Sequence, residues 1–106
     1  MALKFVINDG NIIARNVKYH YQLSIDNSKT KGGGYFYIDR INKILWLYSK
    51  SHEFGSVNKE KIEKAFKEGK VEDIFKGHEI RFSYSEFLPD IIKNNDFEVI
   101  KPFVIQ

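Results

Sequence analysis

Two runs rich in β-branched and apolar residues, LKFVIN (3–8) and NIIARNV (11–17), stand on either side of Asp9-Gly10. A two-residue Asp-Gly link supplies the positive φ angles of a tight turn, so the chain is committed at its outset to an antiparallel hairpin. Residues 18–26 (KYHYQLSID) then alternate, with Tyr19, Tyr21 and Leu23 on one side and His20, Gln22 and Ser24 on the other, which predicts a half-buried strand. The polar stretch 27–34 ends in Gly32-Gly33-Gly34 and reads as a loop. YFYIDR (35–40) and ILWLYS (44–49) flank Ile41-Asn42-Lys43 as a second hairpin, and the only tryptophan, Trp46, lies in it. EIRFSYSEF (79–87) alternates Ile80, Phe82 and Tyr84 against polar residues. FEVIKPFVI (97–105) is expected as a final strand after a turn around 88–96, with Pro102 assigning it to an edge.

One segment has helical rather than strand periodicity. In 57–68 the apolar positions Val57, Ile62, Ala65 and Phe66 form a narrow stripe, Ser56 or Asn58 is available to cap, and Gly69 stops the run. A short helical turn is expected over 71–76. About six strands and one main helix (57–68) in 106 residues predict a single α+β domain with a mostly antiparallel or mixed sheet, the helix covering one face. The 42% hydrophobic and 15% aromatic fractions suffice for a core at this length.

The chain contains no cysteine, which excludes disulfides, thiolate metal sites and thiol nucleophiles, and is consistent with a cytoplasmic address. His20, His52 and His78 have no partner at metal-ligand spacing, so no metal or cofactor is expected. No run of apolar residues is long enough to cross a membrane. The net charge of +3 favours anionic ligands in general. Tyr35, Tyr37 and Trp46 among Lys and Arg suggest a single-stranded nucleic-acid binder. Aromatics on strands of a small sheet are more simply core, however, and the lysines of 59–70 are balanced by Glu60, Glu63 and Glu68, so nucleic acid is not the expected partner.

The order of several features carries more information than any one of them. Lys4 stands in the first strand within Leu3-Lys4-Phe5-Val6-Ile7, and Arg15 precedes Tyr19-His20. Gly32-Gly33-Gly34 opens the next strand, and LYSKSHEFG (47–55) precedes the helix. Over roughly residues 3–66 this order resembles the janus/ocnus family, whose best-known members are small phosphohistidine phosphatases. Tyr35 stands where that family has an arginine, and the segment 21–31 is shorter than its counterpart.

The resemblance implies a phosphohistidine phosphatase-like fold and a cofactor-free site for a phosphorylated group. His20 would be the catalytic base. Lys4, Arg15, Ser51, His52 and the backbone N–H groups around Tyr21 and Ser51-His52 would hold the phosphoryl oxygens by charge-assisted hydrogen bonds. Gly32, Gly33, Gly34 and Gly55 would serve backbone geometry. The implied partner is a phosphorylated protein or a small phosphorylated ligand; the sequence leaves the oligomeric state open, with a monomer favoured. The alternative is a member of the same fold that binds without catalysis.

Overall fold

A computed structural model describes residues 3–23, 29–68 and 73–100, with the side chain of Tyr21 excepted. The opening hairpin is present: β1 (Leu3–Asn8) pairs antiparallel with β2 (Asn11–Asn16). Asp9 and Gly10 both have positive φ, 52° and 78°. β3 (Thr30–Asp39) runs antiparallel to β1 and to β4 (Ile44–Tyr48), β4 pairs in parallel with β5 (Glu79–Ser83), and β6 (Glu98–Val99) closes the sheet beside β5. The result is a six-stranded mixed sheet in the order β2-β1-β3-β4-β5-β6. The one parallel pair needs a long crossover, and helix α1 (Lys59–Glu68) lies within it. A second helix, α2 (Leu88–Asn94), connects β5 to β6. The architecture is α+β.

α1 starts two residues later than the periodicity predicts, because Asn58 is its cap: the Lys61 amide donates to Asn58 Oδ1 at 2.9 Å. Val57, just outside the cap, and Ile62, in the second turn, are both buried in the main core, the positions of a hydrophobic staple. With Ala65 and Phe66 they close over Phe5, Ile7, Ile12, Ala14, Phe36, Leu45, Leu47, Ile80 and Phe82 on one face of the sheet.

Several expectations need correction. The region around Leu88–Asp96 is a helix rather than a turn: Pro89 fits its first turn, and Asn95 in the left-handed region at φ 52° ends it, its amide reaching the carbonyls of Ile91 and Ile92. A seven-residue helix with Ile91 as its buried residue leaves almost no periodic signature. β5 is shorter than 79–87. The glycines belong to β3 and not to a loop, because the flanking strands approach them too closely for any side chain. A Cβ on Gly34 would lie 2.5 Å from the Tyr48 carbonyl oxygen, and one on Gly33 would strike that of Phe5. The final strand is visible only as Glu98–Val99, at the edge as expected, and Pro102 lies outside the described residues.

The predicted strand 18–26 is instead a 3₁₀ turn over His20–Leu23, as far as it is described, residues 24–28 lying outside. A 3₁₀ turn brings positions three apart to the same side. His20 and Leu23 are therefore the buried pair, whereas Tyr19 is exposed. Alternation had placed His20 opposite Leu23.

Candidate functional site

On the face of the sheet opposite α1, strand register aligns Arg15, Lys4, Tyr35, Tyr48 and Ser83 in one row across five strands. The 3₁₀ turn folds over the β1–β3 end of this row and buries His20, which is 2% exposed. The ring lies against Gly33, where only the missing side chain makes room, and Nε2 is 2.7 Å from the Gly34 carbonyl oxygen. A carbonyl only accepts, so Nε2 carries the proton and the neutral ring has its lone pair on Nδ1. Burial, the largest influence, lowers the His20 pKa. The Gly34 hydrogen bond and Glu53 oppose this, while Lys4 and His52 reinforce it, leaving the pKa below 6.5. His20 is neutral at pH 7.

Lys4 is the buried cation of this face, 8% exposed. Its ammonium donates to the Val17 carbonyl at 3.3 Å and lies 5.2 Å from the centre of the Tyr35 ring. Among the described residues no carboxylate lies within ion-pair distance of it. Tyr35 is the common neighbour: its ring meets His20 edge-on at 5.6 Å and tilts against Tyr48 at 6.1 Å. Burial, and secondarily Tyr35, raise the Tyr48 pKa above 10.0, so its hydroxyl stays protonated.

The 51–55 loop flanks the same glycine backbone. The Ser51 amide donates to the carbonyls of Gly33 and Gly55, and the Gly33 amide donates to Gly55. Gly55 has φ 78°, which suits the turn. Ser51 is buried, and its hydroxyl oxygen accepts from the amides of Glu53 and Phe54, both at 3.1 Å. It closes its own turn instead of facing outward. His52 is exposed, and its electrostatic influence helps to lower the His20 pKa. Glu53 reaches back so that Oε1 accepts the His20 amide at 3.1 Å.

Lys4, His20 and the 51–55 loop thus gather about Gly33-Gly34. Arg15 is the cross-strand neighbour of Lys4, but it is exposed and one of its guanidinium nitrogens donates to the Ala14 carbonyl at 2.8 Å. The Tyr21 backbone lies in the 3₁₀ turn and its side chain is outside the described residues. Gly32 serves the backbone of β3 at φ 118°. Two participants were not among the expected site residues: Tyr35, noted only as an exposed-aromatic candidate and as a departure from the resembled family, and Glu53. Tyr35 had a signal, since it directly follows the glycines that admit the histidine. Glu53 had none, because its reach across to residue 20 depends on the loop closing.

At the other end of the same face Trp46 is 3% exposed, with the Phe97 ring edge-on at 5.0 Å and the Arg81 guanidinium 5.2 Å from its centre. Its faces are closed to a stacking base, although Tyr37 remains exposed. No described helix is long and apolar enough to cross a membrane. No family model matches this chain, and no curated protein or solved structure does either.

Proposed function

We propose that the Lys4–His20 end of this face binds a phosphorylated group and that His20 acts there as a base in phosphoryl transfer to water, the activity implied by the resemblance to the phosphohistidine phosphatases. The observation that carries this reading is Lys4. An ammonium removed from water without a carboxylate is strongly disfavoured, and an incoming anion would supply the missing charge. Phosphoryl transfer asks mainly for positioning and charge neutralisation, which a lysine and a neutral histidine beside it provide. Nδ1 of His20 would take a proton from water as the water oxygen bonds to phosphorus, the phosphorus–nitrogen bond of a phosphoramidate would break, and His20 would hand that proton to the departing nitrogen, returning to its neutral form.

A second reading, binding without turnover, is favoured by Glu53 and Ser51. The Glu53 carboxylate occupies the His20 amide, and the Ser51 hydroxyl and its neighbouring amides are engaged within their own turn. One experiment separates the two. Amide shifts in ¹⁵N NMR during titration with inorganic phosphate, and phosphoramidate hydrolysis followed by ³¹P NMR, are compared for wild type, His20→Ala and Lys4→Met. The enzymatic reading expects shifts at residues 4, 20 and 51–55, with hydrolysis abolished in both variants. Shifts without hydrolysis in the wild type select the binding reading. Absence of shifts up to millimolar phosphate overturns both.

A further inference from the structure

Glu53 is an exposed side chain, yet its Oε1 reaches across 33 residues of sequence to accept the His20 amide at 3.1 Å. The 51–55 loop holds its shape without that contact. Ser51 and Gly55 exchange backbone hydrogen bonds at 3.2 and 2.8 Å, and the amides of Glu53 and Phe54 both end on the Ser51 hydroxyl. The backbone under Glu53 is therefore fixed, and only the long side chain has to turn for the carboxylate to leave.

The 3₁₀ turn is anchored elsewhere too. The Gln22 amide donates to the Tyr19 carbonyl, and the Gln22 side chain accepts the Tyr19 amide at 2.8 Å. The His20 ring is tied to Gly34, and Leu23 is buried. The contact between Glu53 and His20 thus joins two segments that are each held in place by other bonds.

What the carboxylate occupies is a donor at the Lys4–His20 end of the face. Lys4 and Glu53 both act electrostatically on the His20 ring, in opposite senses, so the two charges address the same small volume. They do not meet there: among the described residues no carboxylate lies within ion-pair distance of Lys4. Glu53 has taken the amide and left the ammonium. A carboxylate and a phosphoryl group are the same kind of ligand for an N–H donor, since both are anions that gain from charge-assisted hydrogen bonds. Two such anions at one amide would compete for its proton and repel each other.

We infer that Glu53 is a built-in competitor for the Lys4–His20 site: its carboxylate occupies the His20 amide in the resting protein and must swing out to solvent before a phosphorylated group binds there. This rests on the reading that the site takes a phosphorylated group, and adds that its resting state is self-inhibited. The apparent affinity of a ligand is reduced by the fraction of molecules in which the amide is open. Inorganic phosphate has no further contacts with which to displace the carboxylate, whereas a larger phosphorylated ligand does, so Glu53 selects against the bare ion.

The test is a ¹⁵N NMR titration with inorganic phosphate of wild type, Glu53→Ala, Glu53→Gln and Glu68→Gln. Alanine vacates the amide, and glutamine keeps an acceptor within reach but removes the charge. Glu68 is an exposed carboxylate at the end of α1, on the other face of the sheet, and controls for net charge. Affinity is expected to rise at least about tenfold in Glu53→Ala and by less in Glu53→Gln, with the His20 amide shifting, and to stay unchanged in Glu68→Gln. A residue that merely held the turn in place would lower the affinity when removed. Affinity unchanged or lowered in both Glu53 variants overturns the competition while leaving phosphate binding itself standing. An equal rise in Glu68→Gln also overturns it, as an effect of net charge. Absence of shifts in all four proteins overturns phosphate binding at this site, and the competition with it.

Discussion

The two faces of the sheet are made of alternate residues of the same strands, but they are closed in different ways. One amphipathic helix covers one, and beneath it β1 to β5 all contribute apolar side chains to a continuous core. The other is covered piecemeal, by a 3₁₀ turn carrying His20 at one end and by Phe97 on Trp46 at the other, and polar groups are buried on it: Lys4, Asn8 and Ser83, with His20 above. Burying such groups costs free energy unless they find partners. Stability is thus concentrated on the α1 face, and the capacity for chemistry on the face that an unbroken apolar layer does not cover. At the rim of the α1 face a bulge in β3 delivers Lys31.

The sharpest way to break this contrast is to remove core volume. Phe5→Ala, at a fully buried position on the α1 face, should lower the unfolding free energy by about 3–5 kcal/mol, measured by urea denaturation. A loss below about 1 kcal/mol would show that this face is not the stabilising one. A smaller effect is expected at the seam between the faces. In Gly34→Ala the added methyl meets the Tyr48 carbonyl and the Phe5 ring, and overpacking of this kind costs about 1–3 kcal/mol. The same variant should disturb the His20 ring resonances, because Gly34 holds that ring through its carbonyl.

The smallest effect belongs to pH and isolates the other face. The folded protein depresses the His20 pKa below 6.5, so below pH 6.5 the unfolded chain binds the proton more readily than the folded one does. The stabilisation from keeping this ring neutral is complete above that pH and declines as pH falls toward the folded-state pKa. Thermal melts at pH 7.5 and 5 should therefore differ more in wild type than in His20→Gln. Equal differences would remove His20 from the account of acid sensitivity.

The first hairpin, the second hairpin, α1 and the α+β class were legible because each rests on interactions between residues close in sequence: Asp9-Gly10 for the turn, Asn58 for the cap, Ile62, Ala65 and Phe66 for the buried stripe. Residues 18–23 and 88–94 were misread for a common reason. Both are short segments whose conformation is imposed by what they cover, and with fewer than two full turns neither periodicity can establish itself. Of the candidate site, Lys4, His20 and the glycines were named from their order along the chain. Their meeting around Gly33-Gly34 required the β1–β3 pairing, and Tyr35 acquired its place only through that register.

Sequence alone determined the composition of the strands, the turn chemistry and the stripe of α1, since these follow from backbone preferences and side-chain spacing within a dozen residues. The tertiary structure decided which face each polar group occupies, that Glu53 reaches the His20 amide, and that a bulge at Gly32 turns Lys31 toward α1. Those outcomes depend on contacts between segments distant in the chain, and a one-residue shift of register inverts the face of every side chain beyond it.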